Sequence, residues 1–157
     1  MVDSKFIKEQ IHIDGKIIDV IPTSQLDLEE KYYQKMPYEN PKISIDNLKE
    51  DYFGKIFGTR SGDKGGCANL GVWAKSQEPY SFLFDFLTVK KLKELLPDLE
   101  KFEIDRFELP NIYSLNFYVH GILQDGVSSS TRMDGQAKSL GEYLRAKKIN
   151  FPEQLLK

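Results

Sequence analysis

The most constraining pattern in this chain is a strict alternation of apolar and polar side chains in residues 112–120, IYSLNFYVH. Successive side chains of a β-strand point to opposite faces of its sheet. One face of this strand would therefore carry Tyr113, Leu115, Phe117 and Val119, and the other Ser114, Asn116, Tyr118 and His120. A single slip of register would exchange the two faces, so the pattern predicts a strand with one face in the core.

The segments around this strand predict an α+β sandwich. Residues 80–96 place apolar side chains near helical spacing, with Thr88 as a cap and Pro97 after the end. Residues 131–148 contain a stripe formed by Met133, Ala137, Leu140 and Leu144, which predicts a last helix. The predicted strands are residues 54–59, 68–74, 102–109 (with a one-residue slip typical of a bulge) and 112–120. The order β-β-α-β-β-α predicts two layers, with the helices on one side of the sheet.

The N-terminal third follows a different pattern. Residues 6–22 alternate around Asp14-Gly15, a dipeptide that suits a tight hairpin turn. Residues 25–52 contain Pro37 and Pro41, many charges and no sustained period, which indicates a linker or wrapping arm. We therefore expect a hairpin and arm over residues 1–50, followed by a domain over residues 51–157.

Charge and cysteine content exclude several classes of function. The net charge of −2 gives no field that would attract nucleic acid or an anionic membrane. Residues 1–51 contain 7 basic and 11 acidic side chains, and residues 52–157 contain 15 and 13, so the second part suits an anionic ligand better. A single cysteine, Cys67, excludes an internal disulfide and Cys-type zinc sites, and His12 and His120 have no partner at ligand spacing. With no apolar run long enough for a membrane helix or signal peptide, we expect a cytoplasmic protein without a metal site.

The densest cluster of charge and glycine lies in residues 60–66, RSGDKGG. Unshielded backbone N–H groups beside Arg60 and Lys64 suit a phosphate or carboxylate, although no known nucleotide-binding fingerprint is present. A tight loop shaped by Asp63 and the glycines, with its charges in solvent, explains the stretch equally well.

A second candidate is the predicted start of the last helix, which carries Arg132, Asp134 and Lys138. Free N–H groups and the helix dipole favour an anion there. A start capped by one of the residues 128–131, SSST, explains the same pattern without a ligand. The ligand hypothesis gains support if this start lies beside residues 60–66.

His120 is the candidate proton-transfer residue, since it ends the polar face of a strand and has a near-neutral pKa. The sequence identifies neither a nucleophile motif nor a group that would orient the imidazole, so the alternative is a histidine hydrogen-bonded at a strand end or buried in an interface. Cys67 is expected to be a small core residue.

Residues 55–145 resemble the AtuA-like ferredoxin-fold domain, the small C-terminal module of the acyclic terpene utilisation protein AtuA. The resemblance rests on ordered landmarks: RSGDKGGCANLGVWA (60–74), LT (87–88), ELPNIYSLNFYVHG (108–121) and SSTRMDGQAKSLGEYL (129–144). It implies a ferredoxin-like α+β sandwich, and it associates the chain with a larger AtuA-type protein in the breakdown of acyclic terpenes or branched acyl-CoA compounds. The first 50 residues lie outside the resemblance.

Three hypotheses follow. The chain is a non-catalytic small subunit that docks on a larger AtuA-type protein and contributes to an anion site, or an independent enzyme or binding protein for an acyl-CoA or carboxylate, or a structural module that forms homo-oligomers. We favour the first, with a CoA ester as the candidate ligand, no bound cofactor, and His120 as the candidate catalytic residue. The candidate ligand-binding residues are Arg60, Gly62, Asp63, Lys64, Gly65, Asn69, Asn116, Arg132, Asp134 and Lys138.

Overall fold

The computed structural model describes residues 10–20 and 38–157. Contacts between Cα atoms divide the chain into two compact units, residues 1–37 and residues 38–157. In the first unit, strands β1 (Gln10–Ile13) and β2 (Lys16–Asp19) form the predicted hairpin. Asp14 and Gly15 have φ angles of 48° and 74°, the positive values that a two-residue turn between twisted strands requires. The hairpin is confirmed for these residues, and the predicted arm between residues 25 and 37 lies outside the described part.

The second unit contains the remaining strands and all three helices of the described residues. The strands are β3 (Leu48–Tyr52), β4 (Gly58–Lys64), β5 (Cys67–Trp73), β6 (Ile104–Leu109), β7 (Ser114–Val119) and β8 (Lys148–Pro152). The helices are α1 (Gln77–Phe86), α2 (Val89–Leu95) and α3 (Leu140–Arg145). Strands β4 to β7 form an antiparallel sheet in the order β4-β5-β7-β6, and β3 pairs with β8 in a separate two-stranded sheet. The predicted ferredoxin-like α+β architecture is confirmed.

The central strands β5 and β7 set the core, as their alternation predicts. Leu70, Val72, Leu115 and Phe117 are fully buried, and Leu70 and Val72 lie opposite Phe117 and Leu115 in the register. Leu83 of α1 and Leu92 of α2 are also fully buried and belong to the same core cluster. The helices therefore cover one face of the four-stranded sheet.

Residues 80–96 form two helices, because the chain breaks at Leu87-Thr88. The Thr88 side chain accepts a hydrogen bond from the backbone N–H of Lys91, so the predicted cap is confirmed. Leu87 and Leu96 end the two helices and are fully buried, which anchors both ends in the core. Pro97 follows at the start of a short 3₁₀ turn.

The interpretation of residues 48–52 as part of an irregular arm is wrong, because they form β3. Leu48 and Tyr52 are 54% and 53% exposed, so this strand has no apolar face. It is held by its ladder to β8, in which Asp51 lies opposite the buried Ile149. A periodicity argument cannot detect a strand whose support is the backbone pairing with residues about 100 positions away.

The charged stretch 60–66 is also not a loop. Its first five residues belong to β4, and Gly65-Gly66 forms a two-residue turn into β5. The helix-facing positions of β4 are Thr59 and Ser61, which are polar because α3 packs directly on this strand. A Cβ on Gly141 would lie 2.9 Å from Thr59 Oγ1, and Gly141 N–H donates a hydrogen bond to Ser61 Oγ at 2.9 Å. Small polar side chains replace the apolar ones that would have revealed the strand.

Strand β6 has a regular register without the predicted bulge. Arg106 donates hydrogen bonds to the carbonyl oxygen of Phe84 and to Glu108 Oε1, both at 2.7 Å. Phe107 and Leu109 lie on the opposite side of the strand and are 51% and 42% exposed. Large apolar residues are expected to face the core, but in β6 the half-buried ion pair of Arg106 and Glu108 takes their place.

The last helix begins at Leu140, later than predicted, and residues 131–139 are irregular. The Asp134 carboxylate accepts hydrogen bonds from the backbone N–H groups of Lys138 and Ser139 and from the Ser139 hydroxyl. These local bonds compete with helix formation. Leu140 and Leu144 are buried as predicted, whereas Met133 is fully exposed and does not belong to the stripe.

We predict that Gly66→Ala destabilises the protein, because a Cβ at this position would lie 2.0 Å from the carbonyl oxygen of Gln124. Overpacking of this kind costs about 1–3 kcal/mol, which urea denaturation measures as a lower free energy of unfolding. Gly62→Ala is the matched control, since its Cβ would have no atom within 4 Å. Equal stability of the two variants would contradict the close approach of the β4–β5 turn to residue 124.

We predict that Tyr80→Phe leaves the protein as stable or stabilises it by about 1 kcal/mol at neutral pH. The Tyr80 hydroxyl is buried without a hydrogen-bond partner among the described residues. Burial raises its pKa to about 12, above the ordinary value of 10.0. Between pH 10 and pH 12 the Tyr80 hydroxyl ionises only in the unfolded chain. The free energy of unfolding of the wild type should therefore fall over this range, and that of Tyr80→Phe should fall less. Urea denaturation at pH 7 and pH 11 checks both statements, and a large destabilisation at pH 7 would contradict them.

Candidate functional site

The face of the four-stranded sheet opposite the helices is accessible to solvent in the described domain. We call this surface the open face. Its members come from all four strands: Gly58, Arg60, Gly62 and Lys64 of β4, Cys67, Asn69, Gly71 and Trp73 of β5, Ser114, Asn116 and Tyr118 of β7 with His120 just after it, and Asp105, Phe107 and Leu109 of β6. All of them are exposed or half-buried.

The open face has an apolar end near residues 73 and 109. Trp73, Phe107 and Leu109 are between 40% and 51% exposed, and Ile112, in the turn between β6 and β7, is 65% exposed. The Trp73 ring lies against Gly58, where a Cβ would come within 2.2 Å of the indole. Exposed apolar side chains grouped on one surface are typical of interaction sites.

The polar end of the open face is built around His120. Its Nε2 lies 2.8 Å from Asp105 Oδ2, and the Tyr118 ring contacts the imidazole edge-to-face at a centroid distance of 4.9 Å. Asp105 and Tyr118 are direct partners in the β6–β7 ladder, and this pairing positions the carboxylate beside the imidazole. Asp105 thus supplies the orienting group that sequence reasoning missed. A regular alternation of side chains along β6 would have placed Asp105 on the same face as His120. The predicted bulge shifted this alternation by one residue and hid the pair.

Cys67 joins this cluster. The backbone N–H of Gly121 donates a hydrogen bond to Cys67 Sγ at 3.4 Å, and the thiol lies half-buried, outside the core where it was expected. A hydrogen bond with Cys67 raises the pKa of the Tyr118 hydroxyl. Next to it, Asn69 donates a hydrogen bond to Asn116 at 3.4 Å. A thiol, a phenol, an imidazole and a carboxylate therefore follow one another across three strands.

Two cations flank the polar end. Arg60 and Lys64 lie on the open face as the third and the last residue of β4, and Lys64 is the ladder partner of Cys67. The two residues are four positions apart, about 13 Å along the strand, so only an extended ligand can contact both cations. The Lys64 ammonium now donates to the carbonyl oxygen of Asp63 at 2.9 Å. An imidazole held by a carboxylate, with cations nearby, can bind an anion and exchange a proton with it.

The remaining candidate residues occupy other positions. Asp63 lies on the helix side of β4, Gly62 in the strand, and Gly65 in the turn with φ 62°. Asp134 binds the backbone of residues 138 and 139 and does not orient a cation in the described structure. Arg132 lines a cavity of about 380 Å³ with Asp98 and Tyr143, and no residue of the open face belongs to that lining.

The predicted meeting of the charged stretch with the start of the last helix takes place at Ser61. Its hydroxyl donates to the carbonyl oxygen of Lys138 at 3.1 Å and accepts from the Gly141 N–H. Arg60, Trp73 and Lys138 line a shallow cavity of about 340 Å³ at this edge of the sheet. The structure therefore groups Arg60, Lys64, Asn69, Asn116 and His120 on one face, places Lys138 at its edge, and leaves Arg132 apart.

Two further observations concern the described residues only. No group of three or more His, Cys, Asp or Glu side chains there is arranged to hold a metal ion. None of their helices has the length and apolar character needed to cross a membrane.

Comparisons with known proteins identify the domain. Neither the curated proteins nor the solved structures contain a match to this chain. A family model described as the AtuA ferredoxin-like domain matches residues 53–150, a range that begins just after β3 and extends into β8. It includes the whole four-stranded sheet, all three helices and every residue of the open face. The chain belongs to the AtuA ferredoxin-like domain family.

Proposed function

We propose that this protein is a small subunit that docks through its open face on a larger AtuA-type protein and contributes to an anion site at that interface. The ligand is an acyl-CoA ester or a related carboxylate from the breakdown of acyclic terpenes or branched acyl compounds. The observation that carries this proposal is the combination, on one uncovered sheet face, of exposed apolar side chains, an Asp105–His120 pair and the cations Arg60 and Lys64.

The apolar end supports docking. Burial of a large apolar side chain contributes about 1.5–3 kcal/mol, so Trp73, Phe107 and Leu109 together can anchor a partner. A central cluster of aromatic anchors beside polar groups is the usual composition of an interface hot spot.

The polar end supports a shared site. The Asp105 and His120 side chains are 50% and 40% exposed, so the polar end of the open face is a solvent-accessible sheet surface that does not enclose a ligand. Binding sites for small molecules are concave and exclude most water from the ligand. A partner surface that covers the open face would supply the missing walls.

The N-terminal hairpin adds a second apolar surface. Ile11, Ile13 and Ile18 lie on one face of the hairpin and are 46–55% exposed. A two-stranded hairpin is marginally stable in water without a surface to pack against. We infer that the hairpin also contacts the partner.

A second candidate function is an independent enzyme, and the Asp105–His120 pair favours it because the imidazole has its orienting carboxylate without help from another chain. The two candidates differ in where the ligand binds. The isolated chain binds an acyl-CoA ester tightly if it is an independent enzyme, and only the complex does so if it is a subunit.

We predict that the tagged full-length chain, expressed in its native host, captures a larger AtuA-type protein that mass spectrometry identifies. Phe107→Asp should abolish this capture, since it places a charge in the centre of the apolar end. Met133→Asp is the control, because Met133 is fully exposed but lies outside the open face. Capture that is unaffected by Phe107→Asp, or a defined homo-oligomer without any larger protein, would contradict docking through the open face.

We predict that the complex binds an acyl-CoA ester and that Lys64→Ala weakens this binding by roughly 10- to 100-fold, the usual effect of a lost hydrogen bond to a charged group. Calorimetric titration of the purified complex measures the change, and Lys101→Ala serves as the control because Lys101 lies outside the open face. Lys64→Ala should still capture the partner. This control shows that weaker ligand binding by the variant does not result from loss of docking. Unchanged affinity would contradict an anion site at Lys64.

A further inference from the structure

A cavity of about 540 Å³ lies among α1, α2, β3, β8 and residues 42–45. None of its described lining residues belongs to the open face. Its volume falls within the range of about 300–1,000 Å³ that is usual for small-molecule sites.

The larger part of the cavity lining is apolar. Phe82 and Ile149 are buried at 7% and 6% exposure, and the half-buried Phe86 and Leu95 come from the two helices. Ile45 and Leu48 also line the cavity, yet they are 60% and 54% exposed. Two large apolar side chains thus face an open cavity that an apolar group could fill.

Three of the lining residues are lysines, Lys42, Lys91 and Lys148, and a single carboxylate, Asp85, lines the cavity with them among the described residues. Lys91 pairs with Glu94 at 2.8 Å and Lys148 with Glu50 at 3.2 Å. Both glutamates lie outside the lining. Exposed ion pairs contribute little free energy, so a bound anion can replace these partners readily.

Lys42 has no hydrogen-bond or ion-pair partner within residues 10–20 and 38–157. Lys148 and Leu48 both line the cavity and lie on the same face of the β3–β8 ladder, at its two ends. A lysine head group with an apolar wall beside it suits a ligand that has an anionic head and an apolar tail.

We propose that this cavity is a binding site for an amphipathic monoanion, a carboxylate with an apolar tail. The tail packs between Phe86, Leu95 and Ile45, and the carboxylate binds the lysines at the rim. The site is separate from the open face and does not depend on the proposed docking.

Calorimetric titration of the full-length chain with decanoate, decanol and decyltrimethylammonium tests the proposal. Decanoate should bind saturably at one site, and more tightly than either probe with the same tail. The double variant Lys42→Gln/Lys148→Gln should weaken decanoate at least tenfold and leave decanol unchanged. Lys90→Gln/Lys101→Gln is the control, because it removes two charges that do not line the cavity.

A second variant keeps the test independent of the lysines. Leu48→Glu places a carboxylate on an exposed wall position, so it should weaken decanoate at least tenfold and strengthen decyltrimethylammonium without loss of folding. Absence of saturable decanoate binding by the wild type would overturn the proposal. Equal affinity for decanoate and decanol, or no effect of the lysine variant, would also overturn it. Capture of the larger partner by the same variants reports on the open face separately.

Discussion

One-sided coverage of the four-stranded sheet is the constraint on which the rest of the structure depends. Helices α1 and α2 bury their leucines against one face, where Leu70, Val72, Leu115 and Phe117 are fully inaccessible. The other face can then carry polar and functional side chains at no cost to the core. The same alternation that builds the hydrophobic core places Asn116, Tyr118 and His120 together on the open face.

The packing of α3 on β4 explains the unusual sequence of the first hairpin of the domain. Gly141 brings the helix against Thr59 and Ser61, and Gly66 brings the turn against the carbonyl oxygen of Gln124. At both positions a Cβ atom would collide with the neighbouring residue, so only glycine fits. Strand β4 is an edge strand of the sheet, and its side chains on the face away from the helices include Arg60 and Lys64 of the open face.

Sequence reasoning predicted the parts of this fold whose side chains alternate or repeat, and it failed where other forces act. Strands β5 and β7, the break at Thr88 and the hairpin at Asp14-Gly15 have local signals and were confirmed. Strand β3 depends on pairing with β8, and the late start of α3 depends on side-chain bonds of Asp134, neither of which leaves a periodic pattern. For the same reason His120 was found from its strand, whereas Asp105 became visible only through the register of β6 and β7.

The most direct test is hydroxyl-radical footprinting of the chain alone and in the presence of the larger AtuA-type protein that we propose as its partner. We predict that Trp73, Phe107 and Tyr118 become protected in the complex, while Tyr143 and Met133, which lie outside the open face, keep their reactivity. Protection of Tyr143 and Met133 with an unchanged open face would contradict the central claim that this sheet face is the docking and binding surface.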